Sequence, residues 1–478
     1  MSIAHTLVGP TRVPFLVAPI HARSLTMSLT PLPVHAVDAS PAYLAALTGA
    51  NILLFDRDSG NLRAALAARI DAAAPVARDA PEAAWAAFPR LCALSPSGHL
   101  LAVASDDKTL RVWRTDSVAY GREVLVQRLA KRAGTLQWVR CAAGEEVVVA
   151  DKFGDVYSFV VDESNAPVNA AALPDAAADT DDPADAAIQP RLGHVSMVTC
   201  VAFLGDGVQP ESIVTCDRDE HIRISRWGVR RAAHIVQQYV LGSRSFVGAI
   251  VVVPAAVAQR AGIDGDVLIS SDGGACLRVW RRADGEYKLH RVAALDAARL
   301  ANSVAVDAAV ERRREKVAGN VTFTGVFDPS EPEREAKRPR RNESAPAESA
   351  ASTVVVIQQL RLFRAADRDW LLLTIEGATA LFVVPLDALA AAGTKADEAP
   401  VDMRAVDVGA PVLDAALVQG EEPTVYVCCD VRPGMGSGAP VRQFTWRGEL
   451  VSVPCEVLMS SLRATARWRR RVLSPSSP

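Results

Sequence analysis

A short pattern of small residue, acidic turn and alternating strand recurs along this chain, and no other feature limits its fold as strongly. It reads Ser105-Asp106-Asp107-Lys108-Thr109-Leu110-Arg111-Val112-Trp113 in one place and Ser271-Asp272-Gly273-Gly274-Ala275-Cys276-Leu277-Arg278-Val279-Trp280 in another. Asp151-Lys152-Phe153-Gly154-Asp155-Val156-Tyr157-Ser158-Phe159 repeats it with Phe in the Trp slot. The fourth copy, Thr215-Cys216-Asp217-Arg218-Asp219-Glu220-His221-Ile222-Arg223-Ile224-Ser225, packs four charges into the turn. In it Ile222 and Ile224 alternate with Arg223 and Ser225, the period of a half-buried strand. A bland turn needs only one or two Asp, Asn or Gly.

Trp113 and Phe159 lie 46 residues apart, close to the roughly 40–45-residue period of WD-repeat propeller blades. Seven strand-rich blocks follow one another, at about 34–63, 88–116, 134–161, 191–228, 240–283, 354–387 and 405–448, the fourth opening with Gly193-His194. Seven four-stranded blades closed in a ring leave only short edges. The expected fold is therefore all-β: a seven-bladed β-propeller over 33–450, after a flexible N-terminal extension (1–32) and before a basic tail (451–478). Residues 1–37 hold no Asp or Glu, a composition compatible with a transit peptide, but five Pro break any helix, so a poorly ordered extension is expected, with Met27 a candidate start.

Two insertions interrupt the blocks. Residues 162–190 carry seven acidic residues and no Lys or Arg. Residues about 284–353 are of mixed charge, with an Ala-rich run at 293–310 that fits one helix. Neither buries enough apolar surface to offset its ordering entropy, so both are expected to be loops without fixed structure.

The net charge of −3 draws the chain to neither nucleic acid nor membrane as a whole, and no apolar run reaches the roughly 18 residues of a spanning helix. The eight Cys show no CxxC spacing and sit mostly in apolar runs, as buried thiols of a reducing compartment do. No His/Cys/Asp cluster has metal spacing. The glycine-rich Gly434–Gly438 stretch lacks the helix pattern of a cofactor loop and reads as a hairpin loop. His194, Asp219 and a Ser can be drawn as a triad, but a structural hydrogen-bond network within a blade explains them better. No catalytic residue, cofactor site or metal site is expected in this chain.

Asp151–Tyr157, Gly193–Met197, Asp217–Ser225, Leu241-Gly242 and Phe246-Val247 occur in this order. Together they resemble the WD-repeat, non-catalytic subunit of the eukaryotic tRNA (guanine-N7)-methyltransferase, over roughly residues 30–285. Ser243-Arg244 and Gly273-Gly274 depart from that pattern. The resemblance implies a propeller that binds the catalytic subunit as a heterodimer and supports methylation of a variable-loop guanosine. S-adenosylmethionine is then expected in the partner, and tRNA is met mainly through the complex. It also marks Lys152, Arg218, Glu220 and Arg223 as partner-binding residues, with Arg223 the most exposed contact. Asp155, His194, Asp217 and Asp219 are the structural turn residues, Asp219 being the expected scaffold; Asp217 and Glu220 are equally suited to hold Arg218 and Arg223 from within.

Lys337, Arg338, Arg340 and Arg341 form a candidate nuclear-localisation signal or phosphate-binding patch. Arg467-Trp468-Arg469-Arg470-Arg471 combines charge with a stacking residue, which suits RNA. A solvated tail is the plain alternative for each. The competing functional reading is a WD-repeat substrate receptor or assembly scaffold of another complex, such as a ubiquitin ligase.

Overall fold

Each charged turn joins the second and third strands of a four-stranded antiparallel sheet. The computed structural model describes residues 34–49, 51–67, 88–116, 121–141, 144–161, 189–205, 210–228, 233–304, 355–391, 400–431 and 438–454. These form seven such sheets, each a meander in chain order, arranged as a seven-bladed β-propeller. The blades span 34–67, 89–128, 133–193, 198–240, 247–294, 357–407 and 412–453.

Every pair of neighbouring blades shares an apolar cluster. Strand alternation explains how one strand serves two clusters. Val147 and Val149 pack toward blade 2, while Val148 and Ala150 pack toward blade 4. Ile222 and Ile224 face blade 5. Blade 7 meets blade 1 through Ala416, Val418, Tyr426 and Cys428 against Val37, Leu44, Leu53 and Phe55. Among the described residues no strand is exchanged there; apolar side chains and a hydrogen bond from the Val37 amide to Asp414 Oδ2 at 2.9 Å join the two blades.

The sequence blocks identify the blades but not their limits. Leu192–Gly193 is the outer strand of blade 3, so Gly193 does not open blade 4. Glu286–Ala294 is the outer strand of blade 5, so the second insertion does not begin at 284. An α-helix follows at Ala297–Asn302, capped by Asp296, whose Oδ1 accepts from the Arg299 amide at 2.9 Å. It is much shorter than the Ala-rich run. Blade 7 runs on through Leu450–Val453, past the expected boundary at 450. The N-terminal extension, residues 162–188 and 305–354, and the tail from 455 lie outside the described residues, and with them Lys337, Arg338, Arg340, Arg341 and the arginine-rich run.

Candidate partner-docking rim

In blades 3, 4 and 5 the second strand ends on Asp151, Asp217 and Asp272, all buried. In blades 3 and 4 the carboxylate organises the turn that follows; in blade 5 it ties the third strand to the loop before the blade. Asp151 Oδ1 accepts from the amides of Phe153, Gly154 and Asp155 at 2.8, 3.1 and 3.1 Å. Asp217 Oδ1 accepts from those of Asp219 and His221 at 2.9 and 3.0 Å. Asp272 Oδ2 accepts from Arg278 Nε at 2.7 Å and from the Arg244 amide at 3.0 Å. The scaffold in blade 4 is therefore Asp217 and not Asp219, whose side chain is largely exposed. In blade 3 it is Asp151; Asp155 follows the turn, and its carboxyl is held above the ordinary value by burial and then by the Asp151 charge.

His194 completes the blade 4 network. Its Nδ1 donates to Asp217 Oδ2 at 2.9 Å, and its Nε2 lies 2.7 Å from Thr215 Oγ1. The carboxylate fixes which ring nitrogen carries the proton; in the neutral ring Nε2 then accepts from Thr215. His221 Nδ1 also donates to Asp217 Oδ2, at 3.1 Å. Burial raises the Asp217 pKa. The His194 and His221 hydrogen bonds and the nearby imidazoles outweigh that and hold it below the ordinary value. The ring of His194 is thus engaged by Asp217 and Thr215, not by Asp219 and a Ser. Thr215 escaped the sequence reading, although it stands two residues before the Asp.

Arg223 is the clearest departure from expectation. It is only 7% exposed, the opposite of the most exposed contact. Its Nε donates to Ser225 Oγ at 2.8 Å, its Nη1 to the Gly193 carbonyl at 2.9 Å and its Nη2 to the Ala233 carbonyl at 3.0 Å. Burial lowers its pKa, opposed by Tyr239. The reason is architectural: the face opposite Ile222 and Ile224 is not water but the packing against blade 3. Arg111 and Arg278 occupy the same slot of blades 2 and 5 and are likewise buried. Arg111 pairs with Glu123 and Arg278 with Asp272.

Lys152, Arg218 and Glu220 do lie on the surface, Lys152 half-buried and the other two exposed. Arg218 Nε is 3.7 Å from Asp219 Oδ1. Both turns are tied to the loop between blades 3 and 4. The His194 amide donates to the Gly154 carbonyl at 3.0 Å, and the Arg218 amide to the Met197 carbonyl at 3.0 Å. Gly154 has φ +104°, and a Cβ there would come within 2.5 Å of the His194 and Ser196 carbonyl oxygens. Only glycine lets turn and loop approach this closely.

The same rim carries apolar side chains in the open. Phe153 is 64% exposed and lies under Lys131 Nζ, 4.6 Å from the ring centroid. Val195, between His194 and Ser196, is fully exposed; Tyr239, on the outer strand of blade 4, and Leu241, just after it, are exposed in part. Sequence reasoning passed over these residues; the signal was an apolar side chain placed inside a turn or loop. Exposed apolar residues set among charges make a surface suited to another protein. Among the described residues no group of His, Cys, Asp and Glu could hold a metal, and no helix is long and apolar enough to cross a membrane.

Comparison with known proteins places this chain in a family. The model of the tRNA methyltransferase TRM82 WD40 domain matches residues 67–190 and 165–451. The tRNA (guanine-N(7)-)-methyltransferase non-catalytic subunit wdr4 of Xenopus laevis is 32% identical over 200 residues, 42% of this chain and 41% of that protein. Its Homo sapiens counterpart, WDR4, is 35% identical over 196 residues, 41% and 38% of the two chains. The non-catalytic subunit trm82 of Aspergillus fumigatus is 30% identical over 280 residues, 47% and 53%. The chain thus matches at most about half the length of these relatives. With the family model matching well over half of its residues and a seven-bladed ring to carry them, this chain belongs to the TRM82 WD40 family.

Proposed function

We propose that this chain is a non-catalytic subunit of a tRNA (guanine-N7)-methyltransferase, binding and stabilising the catalytic subunit as a heterodimer. The observation that carries the reading is the rim of blades 3 and 4, in a chain whose relatives bear that name. There Lys152, Phe153, Arg218 and Glu220 stand on turns held by buried carboxylates, and Val195 on the loop tied to both. Buried Asp151 and Asp217 hold the turn backbones, so the charges are offered in a set geometry, which favours specific pairing. S-adenosylmethionine and the methyl-transfer chemistry belong to the partner in this reading, tRNA is bound through the complex, and the Lys337–Arg341 cluster directs the chain to the nucleus.

Co-expression tests it. The chain should co-purify one-to-one with the catalytic methyltransferase of its own organism. N7-methylation of tRNA should require the partner and rise when this chain is added. Activity of this chain alone, or failure of the two to associate, would remove the proposal.

A further inference from the structure

Two free cysteines face each other in blade 4. Cys200, on the inner strand Val198–Leu204, is the register partner of Cys216, near the end of the next strand, Ser212–Asp217. Among the described residues no other two cysteines pair across strands. Both side chains enter the apolar cluster between blades 4 and 5, Cys216 fully buried and Cys200 half-buried against it. The two sulfurs therefore lie on the same face of the sheet.

The spacing suits a bond between them. Residues directly opposite in an antiparallel pair have Cα atoms about 4.5 or 5.5 Å apart, according to the ladder's hydrogen bonding. A disulfide spans about 4.4–6.8 Å between Cα atoms, so either arrangement admits one. The ladder shifts between Val198 and Cys200, with Thr199 as the extra residue. Such a bulge bends its strand and interrupts the regular pairing, which eases a small approach of the two Cβ atoms. Thr199 Oγ1 lies 2.6 Å from the Val247 carbonyl oxygen and 3.2 Å from that of Cys216, so the bulge is held beside the pair.

We propose that Cys200 and Cys216 are a redox modification site, which closes into a cross-strand disulfide under a small neutral oxidant of the peroxide class. The Cys200 thiolate attacks one oxygen of hydrogen peroxide; the O–O bond breaks, and the departing hydroxide takes up the thiol proton as water. The Cys216 sulfur then attacks the sulfenic sulfur, the S–O bond breaks and a second water leaves. Two thiols give up two electrons and two protons, and one peroxide becomes two waters. Cys200 reacts first because it is the more accessible of the two. Burial raises its pKa, opposed by the Ile250 carbonyl contact and the Arg361 charge. Burial holds the Cys216 thiol well above its ordinary value, with Cys200 and Asp217 adding to it, so this sulfur resolves the sulfenic acid. Little thiolate forms at neutral pH, which makes the site slow. Asp217 follows Cys216 directly, so the bond acts on the strand end that holds the blade 4 turn.

Disulfide mapping on the full chain tests this. The reduced, folded chain is exposed to hydrogen peroxide, and the remaining thiols are alkylated under denaturing conditions. Cleavage after Arg191 and Arg218 releases 192–218, which carries Cys200, Cys216 and no other cysteine. That fragment should lose two hydrogens and take up no alkyl label. A further cut after Glu211 should leave two pieces joined until a reductant is added. The rate should rise about tenfold per pH unit below the Cys200 pKa, as the thiolate fraction does. Recovery of both residues as alkylated thiols, at a peroxide dose that oxidises the half-buried Cys141 and Cys276, would overturn the proposal. So would Cys200 recovered as sulfinic acid beside a free Cys216, or either residue joined to a third cysteine. Cys200→Ser should leave Cys216 alkylatable after the same treatment. Should that variant fail to fold, the mapping on the unaltered chain decides.

Discussion

Arg223 donates from Nη1 to the carbonyl of Gly193 at 2.9 Å, and through that bond the third strand of blade 4 holds the outer strand of blade 3. The proposed docking rim depends on this contact, because Gly193 leads directly into His194 and Val195. A residue that reads in sequence as a surface charge thus fixes the shape of the surface from below.

Arg223→Glu should therefore unfold or loosen the propeller and not merely weaken association. It places a carboxylate opposite two carbonyls in a buried site, a cost of about 3–5 kcal/mol. The thermal midpoint of the lone chain should fall sharply. An unchanged midpoint would mean that the guanidinium is dispensable to the fold.

Arg218→Glu and Lys152→Glu should show the opposite split. Both side chains reach the surface, so the stability of the lone chain should change by no more than about 0.5 kcal/mol. Affinity for the catalytic subunit should drop, by about 2–5 kcal/mol if either charge is desolvated in the complex. Calorimetric titration of the purified pair measures it, and equal affinity for both variants would move the docking surface off this rim.

Gly154→Ala should destabilise by about 1–3 kcal/mol, since it combines φ +104° with a Cβ 2.5 Å from two carbonyl oxygens. The relief available is a shift of the His194–Ser196 loop. Partner affinity should fall more than for an alanine placed at Gly285, which has φ +84° and open space around it.

Asp414 gives the chain a pH dependence. Burial pushes its carboxyl up to about 6, against hydrogen bonds from the Val37 and Ala415 amides and the Arg361 charge. A raised carboxyl pKa means the folded chain holds the proton more tightly than the unfolded one. Its stabilising share is present below the ordinary value of 3.8 and is lost as pH rises through about 6. The loss amounts to about 3 kcal/mol at most. Melting curves between pH 4 and 7 should show a slope that Asp414→Asn flattens; an identical slope in the variant would assign it to other groups.

Much of the ring was legible before any coordinates, because the turn-and-strand pattern repeats and each repeat carries its own apolar alternation. The site was legible only in part. Asp151, Asp217 and Asp272 each close an apolar strand, but in sequence they stand beside Asp155, Asp219 and other acids of the same type. Only the backbone path of the turn separates the carboxylate that turns inward from the ones in water. Arg223 misled for a related reason. Alternation tells that two faces differ, and it does not tell that the second face meets another blade. The limits of blade 3 were obscured by the long stretch of sequence between its third and fourth strands, and those of blade 5 by an outer strand, Glu286–Ala294, whose charged residues read in sequence as insertion.

The seam between blades 7 and 1 has a consequence for how the chain is made. Each blade is a continuous stretch of sequence, so a ribosome releases finished blades one after another. Blade 1 emerges first, with Leu44, Leu53 and Phe55 turned toward a neighbour that does not yet exist. The carboxylate that will receive the Val37 amide is synthesised 377 residues later. Until blade 7 is made, blade 1 thus presents an open apolar wall, a surface on which chaperones act and on which premature association begins.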